Sequence, residues 1–413
     1  MRVLTVHNYY RQPGGEDTVF RAEAELLRAA GHDVKTYSVS NDTIPEGSGW
    51  HLAVNATWNR DAFATVRSLV QQHRCELVHF HNTFPLLSPA VFHAARRAGA
   101  AVVVSLHNPR LMCPSANFFR NGHSCMDCLG KPLAWPGILH GCYRQSRAQT
   151  AVNAGVSAVH RVIRTWSSAV DRFIVFTEYY RALFARAALP AAKLVVKPHY
   201  VNVSWEPGAH RADGYALYVG RLDPEKGVRT MLRAFELVTA RSPGAALPLF
   251  VRGEGHLEPL VRRSIESGRV QGRIVERLPV DELHALMGNA RCLVWPSESS
   301  YETFGLVAAE AMACGTPVLA SDGGVAPYVV PAGAGGLHFR SGDADDLARR
   351  ILELSQMPAA AIHSMRVRAR RVFEERYAPQ ANISMLEAIY DQALTARTSR
   401  AAGSDRQSLR ASA

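Results

Sequence analysis

The segment that decides the fold runs from residue 291 to residue 320 and reads RCLVWPSESSYETFGLVAAEAMACGTPVLA. It opens with an apolar strand pattern over 291–295, continues through a polar loop that presents Glu302, and enters a helix pattern over 304–313. A second apolar strand pattern follows over 316–320. A strand, a helix and a further strand in this order form the repeating unit of a parallel sheet covered by helices.

The same alternation extends outward from this segment over most of the chain. Earlier in the second half, the predicted order is strand 215–219, helix 227–240, strand 247–252, helix 257–267, strand 273–276 and helix 280–288. In the first half, strand patterns separated by helices occur at 2–7, 33–39, 76–81, 101–107 and 172–176. We therefore predict an α/β protein with two Rossmann-like, doubly wound domains that face each other across a cleft.

Composition sets the predicted domain boundaries. Residues 1–200 form the first domain and residues 214–378 the second, with a linker between them over 200–214 that is rich in turn-forming residues. A further helix at 379–397 is predicted to pack back on the first domain. The Ser-, Arg- and Ala-rich end, 398–413, is predicted to be a disordered tail.

The composition of the 413-residue chain is that of a globular protein, with 47% hydrophobic residues and a formal net charge of +11. No helix-turn-helix, zinc-finger or RNP signature accompanies this charge, so we predict no nucleic-acid partner. Phosphorylated substrates, anionic lipid headgroups and an ordinary solvated basic surface are all compatible with it. With no signal-peptide pattern and no long apolar run, we expect a cytoplasmic protein, with peripheral contact to the inner membrane face as an option.

The first chemical motif follows a predicted strand and reads Gly220-Arg221-x4-Lys226-Gly227. Glycine permits close approach of a ligand, and two cations beside a helix start suit a diphosphate. The alternative is a surface turn with a local Lys–Glu pair.

The second motif surrounds the helix start at Phe304-Gly305-Leu306, with Glu302 before it and Glu310 within the helix. Backbone N–H groups at a helix start can donate to phosphate oxygens. Each carboxylate can accept paired hydrogen bonds from neighbouring hydroxyls, so one can hold a ribose and the other a sugar ring. The alternative is two ordinary helix carboxylates, placed by the helix dipole.

Together these motifs resemble glycosyltransferase family 4, whose members are retaining enzymes with the GT-B architecture. The resemblance also rests on Gly253-x-Gly255 and on the segment 313–318, ACGTPV. In the first half it rests on Pro13-Gly14-Gly15-x-Asp17 and on Ser105-Leu106-His107-Asn108. The ordered set covers nearly the whole chain.

The resemblance implies roles for individual residues. Arg221 and Lys226 would neutralise the donor diphosphate, Glu310 would hold the ribose, and Glu302 the transferred sugar. His107 would lie beside that sugar. The alternative is a histidine at a strand end whose hydrogen bonds are made within the protein. The implied catalytic set is His107, Arg221, Lys226 and Glu302. The implied donor-binding set is Gly14, Gly15, Gly220, Arg221, Lys226, Gly253, Glu302, Phe304, Gly305, Leu306 and Glu310.

The resemblance further implies a hexosyltransferase that uses a UDP- or GDP-sugar and a glycan or lipid-linked acceptor, in surface polysaccharide or glycoconjugate synthesis. No cofactor is expected for catalysis. The one acidic string of the metal-binding type, Asp343-Ala344-Asp345, is better explained as a helix cap. Tyr328 departs from the family pattern, which has Glu at that point. The alternative function is a nucleotide-sugar-binding protein without turnover.

A Cys-rich insert over 109–142 interrupts the first domain. Its four cysteines are spaced like the ligands of a structural zinc site, namely Cys113, Cys125, Cys128 and Cys142. The alternative is four cytosolic thiols. His79 and His81 also alternate like a metal pair, but without a third ligand nearby in sequence we interpret them as strand-end residues on the acceptor side.

Overall fold

A computed structural model of the chain describes the residues 1–11, 14–45, 49–187, 189–203, 205, 214–242, 247–298 and 302–411. Pro13 of the glycine-rich motif, residues 204 and 206–213 of the expected linker, and residues 412–413 of the expected tail lie outside this part. The chain divides into two compact units. The first is Met1–Ala116, Met126–Lys197 and Ile383–Ala413, and the second is Asn117–Cys125 and Pro198–Asn382.

Strands and helices alternate along both units. The strands are β1 (Arg2–Tyr9), β2 (Asp33–Ser40), β3 (Leu77–Phe80), β4 (Ala101–Ser105), β5 (Phe119–Arg120), β6 (His123–Ser124), β7 (Arg172–Val175), β8 (Leu194–Val196), β9 (Ala216–Val219), β10 (Leu249–Arg252), β11 (Gly272–Ile274), β12 (Cys292–Trp295), β13 (Val318–Ser321) and β14 (Gly336–Phe339). The helices are α1 (Gly15–Ala29), α2 (Gly49–Thr57), α3 (Arg60–Gln72), α4 (Ala90–Arg97), α5 (Trp135–His140), α6 (Arg147–Val162), α7 (Thr165–Ser168), α8 (Glu178–Arg186), α9 (Val228–Arg241), α10 (Glu258–Glu266), α11 (Val280–Asn289), α12 (Leu306–Ala313), α13 (Ala326–Val329), α14 (Ala344–Gln356), α15 (Ala359–Arg376) and α16 (Pro379–Ala411).

The first unit is built on a parallel sheet in the order β2-β1-β3-β4-β7-β8. Residues 3–8 of β1 are all buried, because a strand of such a sheet is covered on both faces. The C-terminal helix α16 completes this unit. Tyr390 of α16 lies 2.9 Å from His79 Nδ1, and Arg397 donates to the carbonyl oxygen of Gly99.

The second unit is built on a parallel sheet in the order β11-β10-β9-β12-β13-β14. Counted within the unit this is 3-2-1-4-5-6, the order of a Rossmann sheet. One buried cluster joins Phe235 of α9 and Ile351 of α14 to Val251 of β10. Burial of these apolar side chains is the main stabilising contribution to the unit.

The predicted α/β class with two doubly wound sheets is therefore confirmed. Two boundaries differ from the sequence analysis. Residues 117–125, which carry the β5–β6 hairpin, group with the second unit although they lie within the Cys-rich insert. Residues 398–411, expected to be a disordered tail, continue α16 as helix.

Candidate active site

The candidate site in the second unit lies where the strand order reverses, between β9 and β12. These strands are neighbours, so the loops that follow them leave the same edge of the sheet side by side. In open α/β sheets this is the place where ligands bind. The loop after β9 carries Arg221 and Lys226, and the loop after β12 carries Glu302.

The two loops are joined by an ion pair that bridges the two sequence motifs. Lys226 Nζ lies 2.7 Å from Glu302 Oε2, and these side chains are only 16% and 19% exposed. Arg221 is 56% exposed and pairs with Asp223 at 2.7 Å and with Glu225 at 3.2 Å. Both predicted diphosphate-binding cations therefore have carboxylate partners, with which an anionic ligand would compete.

Two glycines allow the loop after β9 to pack tightly. Gly227 has φ of +70°, and a Cβ atom there would lie 1.9 Å from the carbonyl oxygen of Pro296. A Cβ atom on Gly253 would lie 1.9 Å from the carbonyl oxygen of Gly220. Only glycine fits such approaches, so these predicted residues shape the loop through the absence of a side chain.

The start of α12 forms the other side of this edge. The helix begins at Leu306, two residues later than predicted, and Gly305 caps it with φ of +94°. Phe304 is buried before the helix, with its ring 5.3 Å from the rings of His199 and Tyr377. Burial raises the pKa of Glu310, which lies on the helix itself.

Two contacts in this unit were not predicted. Thr230 Oγ1 donates to Glu298 at 2.5 Å, which ties α9 to the loop after β12. His256 lies 2.9 Å from Asp223, the residue that also pairs with Arg221. Each pair is distant in sequence, and pattern analysis gives no signal for it.

Asp343 accepts a hydrogen bond from Asp346 N at the start of α14, so the acidic string there is a helix cap, as we interpreted it.

Gly14 and Gly15 stand at the start of α1 in the first unit. Gly14 N donates to Asp17 Oδ2 at 2.8 Å, and Asp17 Oδ1 lies 2.7 Å from His7 Nε2. Gly14 has φ of −125°, and a Cβ atom there would meet nothing within 4 Å. Its backbone conformation therefore does not require glycine, unlike that of Gly227.

His107 lies on the wall of a pocket in the first unit. The pocket has a cavity volume of about 90 Å³ and opens to solvent, at the ends of β3 and β4. His107 Nε2 lies 3.0 Å from His81 Nδ1, and both side chains line the pocket. Burial and the neighbouring histidines hold the pKa of His107 well below its usual value, so this imidazole is neutral at neutral pH.

A buried polar cluster lies behind this pocket. Lys197 Nζ lies 2.6 Å from Glu23 Oε1, and Glu23 Oε2 lies 3.4 Å from His81 Nε2. Together with His79, Glu23 and His81 form a group of potential metal ligands within 4.8 Å of one another, so the third ligand missed in the sequence comes from α1. Both ring nitrogens of His79 already have partners, Tyr390 and Ser105, and the Lys197 ammonium occupies the carboxylate. Because these ligand atoms already have protein partners, the cluster does not fit a metal ion.

The cysteines of the insert all lie in the described chain, and all seven cysteines are thiols. Cys113 Sγ lies 3.2 Å from Ser115 Oγ, and Cys128 Sγ lies 3.9 Å from the carbonyl oxygen of Ala134. In the first unit, Cys113, Cys128 and Cys142 do not form a group of three ligand atoms within 4.8 Å. The structure therefore does not bring these three predicted ligands together within the first unit, and zinc stays a prediction.

The protein therefore has two units with parallel, Rossmann-type sheets. In the second unit, a Lys–Glu ion pair lies where the strand order reverses. Residues 14–200 match the family model described as Glycosyl transferase 4-like domain, and residues 204–372 match Glycosyl transferases group 1. The chain thus belongs to glycosyltransferase family 4, as the sequence motifs predicted.

Relatives of known name agree with this family. The chain is 33% identical over 198 residues to O-antigen chain mannosyltransferase B of Escherichia coli, covering 47% of this chain and 48% of that protein. It is 36% identical over 158 residues to a glycogen synthase of Mycobacterium tuberculosis, covering 38% and 37%. These alignments span about half, or less, of the length of the relatives.

Solved structures show the same fold across nearly the whole chain. Anabaena HepE in complex with UDP has a TM-score of 0.62 and 16% identity, covering 95% of this chain and 100% of that chain. Sucrose-phosphate synthase from Thermosynechococcus elongatus has a TM-score of 0.63 and 20% identity, covering 96% and 100%. In the described part of our chain, no helix is long and apolar enough to span a membrane.

Proposed function

We propose that this protein is a glycosyltransferase that moves a hexosyl group from a UDP- or GDP-sugar to a hydroxyl of a glycan or lipid-linked acceptor. The observation that carries the proposal is the contact of 2.7 Å between Lys226 and Glu302 at the strand-order reversal, beside the start of α12. The names of the relatives support it, since they include a mannosyltransferase and a glycogen synthase. HepE has been solved with UDP and with UDP-glucose, which supports a uridine donor.

In the proposed site, the donor diphosphate replaces Glu302 as the partner of Lys226. When a donor diphosphate binds Lys226, it competes with Glu302 for the ammonium group. The carboxylate is then available to accept hydrogen bonds from the hydroxyls of the transferred sugar. Glu310 on α12 would hold the ribose hydroxyls by accepting hydrogen bonds from them. Binding of the phosphate thus prepares the site for the sugar.

The proposed reaction breaks the sugar–phosphate bond and leaves new negative charge on the nucleoside diphosphate. Lys226, Arg221 and the backbone N–H groups at the start of α12 are fixed donors that stabilise this charge without reorganisation. These groups supply the charge that a metal ion would otherwise provide, so we propose metal-independent transfer. We also propose retention of the anomeric configuration, as the family resemblance implies, and we assign no nucleophile.

We further propose that the protein works in the cytoplasm, with peripheral contact to the inner membrane face. The formal net charge of +11 supports contact with anionic headgroups. The relative named O-antigen chain mannosyltransferase B supports an acceptor from surface polysaccharide or glycoconjugate synthesis.

A panel of nucleotide sugars tests this function. We expect one UDP- or GDP-sugar to raise the melting temperature by mass action, and to release nucleoside diphosphate when a glycan acceptor is added. The same turnover should persist with EDTA. A donor that stabilises the protein but is never turned over, by any acceptor in the panel, would favour the nucleotide-sugar-binding protein instead.

A further inference from the structure

The pocket in the first unit contains one charged group whose hydrogen bonds are incomplete. Arg110 lines this pocket together with His107. Its Nε and Nη1 atoms are buried and have no hydrogen-bond partner among the residues that the structure describes. Its remaining nitrogen, Nη2, lies 3.4 Å from the hydroxyl of Tyr10, a long contact. A buried donor without an acceptor lowers stability, so such a group calls for an explanation.

The guanidinium group is held in place by aromatic rings. Its central carbon lies 4.2 Å from the centre of the Phe84 ring and 5.9 Å from that of Tyr143. Stacking fixes the plane of the group, and its N–H donors lie in that plane. Each two-donor edge joins Nη2, which has only the long contact, to a nitrogen without a partner, either Nε or Nη1. Two adjacent N–H groups of this kind match the two oxygens of a carboxylate or a phosphate.

The rest of the pocket wall suits a sugar ring rather than a second cation or anion. Apolar side chains such as Phe92 and Trp166 line one part, and Ser157 adds a hydroxyl that can bond the hydroxyls of a sugar. No Asp, Glu or Lys is among the lining residues, all of which are described. Burial keeps the lining histidines neutral at neutral pH by lowering the pKa of both His81 and His107.

The carboxyl group of Glu16 interacts with Arg110 but cancels only part of its charge. Glu16 accepts a long contact of 3.5 Å from Asn108, and its Oε1 atom is buried without a partner in the described chain. Burial raises the pKa of Glu16 to about 7, although Arg110 acts against this shift. Around neutral pH this carboxyl is therefore partly protonated, and the pocket keeps a positive charge.

We infer that this pocket binds an anionic sugar acceptor, with Arg110 holding its carboxylate or phosphate group in a bidentate contact. The inference rests on the proposed function, because only the family resemblance gives His107, on the wall of this pocket, a place beside the transferred sugar. It names the class of acceptor: a glycan unit that carries an oxyanion, either a uronic acid or a sugar phosphate.

Calorimetric titration of the full chain with three simple probes tests this. The probes are glucose, glucuronate and glucose 6-phosphate, each added in the presence of excess UDP to occupy the donor site. We expect the anionic probes to bind about ten- to a hundredfold more tightly than glucose, the range for hydrogen bonds to a charged group. If only glucuronate binds more tightly than glucose, the acceptor carries a uronic acid. If only glucose 6-phosphate does, the acceptor carries a sugar phosphate.

Variants locate the preference in the pocket. Arg110→Gln should remove it and Arg110→Lys should keep part of it, whereas Arg147→Gln, on the exposed start of α6, should leave it unchanged. Because loss of Arg110 could also disturb folding, a second pair changes the wall instead. Ser157→Asp should weaken the anionic probes selectively, and Ser157→Asn should not.

Equal binding of glucose and the anionic probes would overturn the inference, and so would a preference that survives in Arg110→Gln. These titrations require no turnover. A protein that turns over nucleotide sugars but shows no preference would refute only the anionic acceptor. A protein that shows the preference without turnover would refute only the proposed function.

Discussion

At the scale of single residues, Lys226 shows what spacing alone can and cannot reveal. The spacing of Arg221, Lys226 and Gly227 after a strand pattern is sufficient to predict that Lys226 lies in a loop at the end of a strand. Its partner Glu302 lies 76 residues further along the chain, so no local pattern pairs them. The pairing follows from the parallel neighbours β9 and β12, which place both loops at one edge.

The cations at this edge give the first prediction. Lys226→Ala and Arg221→Ala should each lower kcat, by about a hundredfold or more for Lys226, because fixed donors act most strongly on charge that develops during the reaction. Lys226 should have the larger effect, since it is less exposed than Arg221. Steady-state kinetics with the best donor measures both. Arg233→Ala, an exposed cation on α9, is the control, and normal kcat/KM in Lys226→Ala would contradict the assignment.

At the scale of elements, the turn between β9 and α9 requires glycine at position 227. The sequence motif contains this glycine, but the contact that requires it is with a distant segment. The pattern predicted a helix from residue 227, and α9 begins one residue later, after Gly227 in a left-handed conformation. The reason is the carbonyl oxygen of Pro296 on the loop after β12, which leaves no space for a side chain. Close packing between distant segments is a tertiary effect, and local propensity does not report it.

A matched pair of glycines gives the second prediction. Gly227 and Gly268 have φ of +70° and +72°, but a Cβ atom on Gly268 would meet nothing within 4 Å. Gly268→Ala should therefore lower the free energy of unfolding by about 1–2 kcal/mol, the cost of the left-handed conformation. Gly227→Ala should cost clearly more and weaken donor binding, because the loop must move away from Pro296. Urea unfolding and donor titration measure this, and equal losses in the two variants would argue against the clash.

The Cys-rich insert gives the third prediction, which rests on sequence spacing. If the four cysteines bind zinc, the purified protein should contain about one equivalent, and Cys125→Ser should lose it. Cys75→Ser, at a buried cysteine outside the insert, should retain the metal. Elemental analysis measures both. No zinc, with the insert thiols freely labelled in the native protein, would leave the cysteines as ordinary thiols.

At the scale of the whole molecule, the two sheets could be predicted and the polar interior of the first unit could not. Alternating apolar segments reveal strands and helices, because burial imposes a period on the sequence. Glu23, Lys197, His79 and Tyr390 meet from four regions of the chain, with a separation of 174 residues in the first pair and 311 in the second. Such contacts depend on how strands are ordered in the sheet, and nothing local in the sequence encodes that order.

These buried groups make the stability of the molecule depend on pH, which is the last prediction. Burial lowers the pKa of several histidines in the folded protein, namely His79, His81, His93, His107, His160, His284 and His338. Below about pH 6.5 the unfolded chain binds protons on these side chains and the folded protein does not, so stability falls as the pH falls. Burial raises the pKa of Glu16 and Glu310, which acts in the opposite direction, but the histidines outnumber them.

We therefore expect the urea midpoint to decrease between about pH 7.5 and about pH 5.5, with each net proton contributing about 1.4 kcal/mol per pH unit. His107→Gln should reduce this slope, since it removes one of the groups that the unfolded chain protonates. His123→Gln, at an exposed histidine, should leave the slope unchanged. A midpoint that is constant or rises as the pH falls over this range would mean that the buried histidines are not held neutral, and with them the neutral wall around Arg110 would be lost.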